Sequence, residues 1–279
     1  MYASQSESIR APIIAILIIE AFALIARSYL QLELIEGNHP VAWAKNISYL
    51  IVPPILMAMT FPILRQHRHF LAARFSLSSL TLRSLGIAIL VGILLRIAYW
   101  GQLIGFSALG IFRNDDPTAI VGPLFSFSCP PNGTILLYLL VMSLLVPIIE
   151  EVINRGFLLY SFLNRGRLVA VVLSSILFAV FHSSATIPSA FVGGLFLAVF
   201  ALNSRSLLLP IVAHATFNGL VVLDWLCLRG TWNPQELTVQ VVGVGLLALI
   251  IAILAMLTNS KLIGQKSIGT ECLSQHSLG

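Results

Sequence analysis

Long apolar blocks separated by short polar connections run along this chain, at about 11–35, 46–64, 84–112, 134–163, 168–187, 188–202, 206–226 and 237–258. Most approach or exceed the roughly 20 residues that cross a bilayer as a helix. They predict an all-α, polytopic transmembrane helical bundle of about eight helices. The block at 188–202 is the weak one, because its 15 residues rise only about 22 Å as a helix, short of a hydrocarbon core of roughly 30 Å. It must tilt little, borrow flanking residues or re-enter. The first ten residues lack the features of a cleaved signal peptide, so the first block is expected to be retained as a helix. The pattern divides the chain into about three N-terminal helices over 1–133, a core over 134–226, and a last helix with a polar tail over 227–279.

Composition removes the soluble alternative. Hydrophobic residues make up 58% and charged residues 10%, against about 25% charged in ordinary soluble domains, and the mean hydropathy is +0.95. The net charge of +5 therefore points to the lipid bilayer as the partner and not to nucleic acid. If all eight blocks span, alternate connections share a side. One set holds ten basic residues (Arg10, Arg65, Arg68, Arg74, Arg83, Arg165, Arg167, Arg205, Lys261 and Lys266), and the other holds Lys45, Arg113 and Arg229. That asymmetry places both termini in the cytoplasm. Arg65 to Arg83, with His67 and His69, reads as a basic loop touching anionic headgroups. Cys129, Cys227 and Cys272 form no C-x-x-C pair and give no metal or redox signature.

Ionisable groups inside a bilayer are costly and mark functional sites by default, and this chain holds few. The fourth block carries Glu150, Glu151 and Arg155. Glu151 and Arg155 are four apart and can neutralise each other on one helix face, while Glu150 points about 100° away without that partner. Pro147 removes a backbone donor just before the pair and can kink the helix, releasing a carbonyl. His182 closes the fifth block with Phe178 one turn earlier, and His214 shares a face with Asn218 in the seventh. A single glutamate or histidine is explained by an ion pair or an interhelical hydrogen bond, but three polar clusters on three helices point to one buried site. Glu150 and His182 each lie 15 residues from a basic loop residue, Arg165 and Arg167, hence at matching depth. His214 lies only nine residues from Arg205, about 13 Å along a helix, and needs a tilt or a kink to join them. Glu20 and Arg27, seven apart on one face of the first block, and Arg96 in the third are explained by pairing among them or by snorkelling to an interface. Gly193 and Gly194 are expected to let two helices approach closely.

The pattern E-E-x-x-x-R, F-x-x-x-H, H-x-x-x-N resembles the CAAX-protease and bacteriocin-processing family of intramembrane endopeptidases, also called the Abi family. It is carried here by Glu150, Glu151 and Arg155, by Phe178 and His182, and by His214 and Asn218, with Arg155-Gly156, Ser-Ser-x-Leu-Phe-Ala and Leu-Pro-Ile-x-Ala-His as flanks. Asn154 departs from the family, whose members often carry an aromatic or aliphatic residue there. The resemblance implies that 134–226 is the catalytic core of an integral protein of a bacterial plasma membrane. It also implies hydrolysis of peptide bonds in a membrane-associated peptide or protein substrate, prenylated or leader-type. Amide hydrolysis needs an activated water, an oxyanion donor and a proton for the leaving amine. Glu150 suits the general base, with His182 holding the water, Glu151 and Arg155 orienting the helix, and His214 and Asn218 donating to the oxyanion. No cofactor is required. A zinc ion on Glu150, His182 and His214 is the alternative, less favoured because the H-E-x-x-H helix is absent. A silent scaffold or immunity protein binding peptides in the same cavity is the competing non-enzymatic class. A transporter would call for an inverted repeat, of which only the short Leu-Leu-x-Pro-Ile match between the fourth and seventh blocks is visible.

Overall fold

Apolar blocks with no water to hydrogen-bond their backbones must satisfy every N–H and C=O internally, and helices do this within one segment. A computed structural model describes residues 3–39, 41–75, 77, 80–108, 132–182, 186–224, 250, 251 and 253, and they form helices joined by short turns. In chain order these are α1 (Ala3–Glu36), α2 (Val41–Gln66), the short α3 (Arg68–Arg74), α4 (Leu82–Ala108), a composite α5 over residues 132–161, α6 (Arg167–Val180), α7 (Ile187–Ser204) and α8 (Leu208–Asp224). Most of the eighth predicted block, the three cysteines, and Arg113, Arg229, Lys261 and Lys266 lie outside the described residues.

Five described segments are long and apolar enough to cross a membrane: Pro12–Glu36, Asn46–Gln66, Leu82–Tyr99, Ile135–Arg165 and Ile187–Ser204. The protein is an integral membrane protein built as an all-α bundle. The segment expected to be weakest, 188–202, forms an 18-residue helix by taking in Ile187, Asn203 and Ser204. The short ones are α6, of 14 residues, and α8, of 17. The fifth block was expected to run to 187, yet α6 stops at Val180. The His182 ring takes the Phe178 carbonyl with its Nδ1 at 2.7 Å, and the His182 backbone N–H bonds Ala179 instead, at 3.0 Å, so the α-helical bonding pattern ends at this residue.

Two apolar clusters hold the bundle. The larger joins Ile16 of α1, Leu64 of α2 and Leu71 of α3 to Ile149, Ile153 and Phe157 of α5. The smaller joins Val91 and Leu95 of α4 to Phe200 of α7 and Leu209 and Ala213 of α8. Outward-facing Ile14, Ile18, Phe22 and Ile25 of α1 are exposed, as a lipid-facing helix side should be. Gly92 permits the approach of α4 to α8, since a Cβ there would lie 2.7 Å from Thr216 Cβ and against the Ala213 carbonyl. Gly194 does the same between α7 and α6, a Cβ there meeting Ser175 Cβ at 3.1 Å, whereas Gly193 has nothing within 4 Å.

Candidate active site

α5 is where regular helix gives way. It runs α-helical over Asn132–Leu140, widens to a π-helix over Val141–Leu145, tightens over Val146–Glu151, widens again over Val152–Leu158 and closes over Leu159–Ser161. In a π turn each N–H bonds the carbonyl five residues back, as Val146 does with Val141. The next such bond would run from residue 147 to Met142, but Pro147 has no N–H. The orphaned Met142 carbonyl instead accepts the Asn218 side-chain amide of α8 at 2.8 Å. Pro147 thus releases a carbonyl, and the carbonyl finds its partner on another helix.

The pair Glu151 and Arg155 sits at the centre of the site, 0% and 1% exposed. Glu151 Oε1 accepts from Arg155 Nη1 at 3.0 Å and from His214 Nδ1 at 2.9 Å. Arg155 Nη2 also donates to the Gly194 carbonyl at 3.4 Å, and its guanidinium lies 4.1 Å over the Phe178 ring. One carboxylate therefore ties α5 to α8, and one guanidinium ties α5 to α6 and α7. Because His214 meets Glu151 while Asn218, one turn later, meets Met142, nine residues earlier, α5 and α8 run antiparallel.

Glu150 stands at the edge of this knot. Its side chain keeps 24% exposure, and its Oε2 lies 3.8 Å from His214 Nε2. That oxygen is buried without a hydrogen-bond partner, an expensive arrangement unless something else occupies the space. His182 joins through Phe178: the ring centroids of His182 and His214 lie 4.6 and 5.9 Å from that of Phe178. Its Nδ1–H donates to the Phe178 carbonyl, which fixes the tautomer and leaves Nε2 as an acceptor. All six residues singled out in the sequence, Glu150, Glu151, Arg155, His182, His214 and Asn218, thus fall in one region. Direct side-chain contacts join the two glutamates, Arg155 and His214; His182 is linked by the aromatic ring, and Asn218 by the helix backbone.

The depth mismatch of His214 disappears once the connection before α8 is placed. Arg205 lines a pocket with Tyr160, not with Arg165. Tyr160 lies nine residues beyond Glu151, as Arg205 lies nine before His214, so no tilt is needed.

Two further residues take places in the site that the sequence did not show. Asn154, the departure from the family pattern, is 3% exposed and donates to the Glu150 carbonyl at 2.9 Å. Glu20 does not pair with Arg27, whose guanidinium lies 4.6 Å over the Tyr49 ring. It is buried, one turn after the core residue Ile16, and faces α5 within electrostatic reach of Glu150 and Arg155. The i, i+4 spacing of Ile16 and Glu20 was the available signal. Among the described residues no three His, Cys, Asp or Glu side chains gather as a group that could hold a metal ion.

Residues 132–220 match the family model described as Rce1-like, type II CAAX prenyl endopeptidase Rce1-like. The matched stretch opens at α5 and ends two residues beyond Asn218. No curated protein and no solved structure matches the chain.

Proposed function

We propose, from the premise that residues 132–220 carry the core of the CAAX-protease family, that this protein is an intramembrane glutamic-type endopeptidase hydrolysing peptide bonds of membrane-associated substrates. The observation that carries the reading is the contrast between two adjacent carboxylates: Glu151, fully buried, commits its Oε1 to both Arg155 and His214, whereas Glu150 stays partly exposed and faces the same imidazole with an oxygen that makes no hydrogen bond.

Glu150 takes a proton from a water held by the Nε2 lone pair of His182. The resulting hydroxide adds to the scissile carbonyl carbon. The oxyanion accepts hydrogen bonds from His214 Nε2–H and from the second N–H of Asn218, whose first is spent on Met142. Donation from Nε2 requires a doubly protonated ring, because Nδ1–H already faces Glu151. The tetrahedral intermediate then collapses with cleavage of the C–N bond, and Glu150 returns its proton to the leaving amine. A positioned acid–base group contributes typically 10²–10⁴-fold.

Comparing the membrane peptidome of cells carrying the wild type and Glu150→Ala tests the reading. Uncleaved precursors should accumulate with the variant, and their sequences would separate prenylated C termini from leader peptides. Wild-type cleavage by Glu150→Ala would overturn the base assignment, and loss of wild-type activity in chelator with recovery on added zinc would replace it with metal-dependent hydrolysis. If the variant still protected cells while cleaving nothing, the scaffold class would stand instead.

A further inference from the structure

Ten residues beyond Glu150, about 15 Å along the helix, Tyr160 enters a separate pocket of about 260 Å³ lined by Arg74, Tyr160, Leu163, Arg167, Leu202 and Arg205. Its three arginines come from three different connections: the end of α3, the start of α6 and the turn between α7 and α8. They are held in place. Arg74 Nη1 donates to the Tyr160 hydroxyl at 2.8 Å with its guanidinium 4.4 Å over the ring, Arg167 donates to Asn203 Oδ1, and the Leu207 N–H bonds the Arg74 carbonyl at 2.9 Å. Arg205 adopts φ +51°, a left-handed conformation that a non-glycine residue keeps only where its surroundings fix it.

Among the described residues no carboxylate lines this pocket. The sequence has no Asp or Glu from 37 to 114 or from 152 to 223, the stretches that supply all three arginines. Three guanidiniums around one cavity repel one another unless an anion enters, and their forked donors match phosphate oxygens in pairs. The position is equally informative. The apolar spans of α5 and α7 end at Arg165 and Ser204, so the pocket sits where helices leave the hydrocarbon, with Leu163 and Leu202 offering an apolar wall beside the charges.

We propose that this pocket binds a phosphate group, presented by the headgroup of an acidic phospholipid, and that its occupant ties together the three basic connections beneath the catalytic helix. The test uses the full chain in nanodiscs of phosphatidylcholine alone, with added phosphatidic acid, or with inorganic phosphate in the buffer, reading lipid retained by native mass spectrometry and the unfolding temperature. Arg167→Gln with Arg205→Asn removes two charges, and asparagine tolerates the left-handed backbone. The exposed pair Arg65→Gln with Arg83→Gln controls for surface charge. Phosphatidic acid should stabilise the wild type and remain bound. The pocket variant should bind it more weakly than the wild type by more than the roughly fivefold per arginine that a basic side chain contributes anywhere near an acidic membrane surface, and the control pair by no more than that generic share. Protection by inorganic phosphate that the pocket variant abolishes would keep the phosphate site and overturn its assignment to lipid. Equal losses in the two variants, or no response to either ligand, would overturn the site.

Discussion

Arg155 and Arg167 lie twelve residues apart in the chain, and the surroundings of each show opposite ways of keeping a guanidinium. Arg155, 1% exposed, is matched by Glu151, which His214 shares, by the Gly194 carbonyl and by the face of Phe178. Arg167, Arg74 and Arg205 stand at the membrane boundary around a pocket that no described carboxylate lines. A charge taken deep into the bundle must be neutralised by the chain itself, because desolvation costs several kcal/mol per ion. A charge at the rim can leave neutralisation to what lies outside. The inner cluster therefore fixes structure, and the outer one holds positive charge in reserve.

That contrast breaks most readily from the inside. Arg155→Leu should destabilise the protein by about 3–5 kcal/mol, because it strands Glu151 in the interior, measured as the loss of thermal unfolding temperature in detergent. Adding Glu151→Gln to Arg155→Leu should recover part of that loss, since the two side chains form one unit and their effects do not add; a simple sum would mean that the pair is not coupled. Asn218→Ala should cost about 1–3 kcal/mol by leaving the Met142 carbonyl unsatisfied, and should also slow cleavage. Arg167→Gln should change stability by only about 0.5 kcal/mol, as exposed charge contacts do. A penalty for Arg167→Gln as large as that for Arg155→Leu would erase the distinction between the two clusters.

Much of this was legible in the sequence because it rests on periodicity and on local spacing. The apolar blocks within the described residues become helices, and Glu151 pairs with Arg155 as four-residue spacing requires. Interactions set by tertiary neighbours were not legible. Arg27 turns from Glu20 to Tyr49 of the adjacent helix, and Glu20 points to a segment 130 residues away in sequence. The end of α6 depends on one imidazole taking one carbonyl, which apolar composition through 187 hides. The π turns of α5 leave no mark on hydropathy. Only Pro147 hinted at them, and the identity of the helix that answers its missing bond could not be read from spacing.

Pro147 makes two positions on separate helices genetically dependent on each other. A backbone defect in α5 creates a vacancy that a side chain on α8 fills, so the two positions should be inherited as a lock and its key. Pro147→Ala would mend the helix, let its own amide claim Met142, and set Asn218 loose from its anchor. In that background Asn218→Ala should lose its stability penalty, leaving an orderly helix and a misplaced amide.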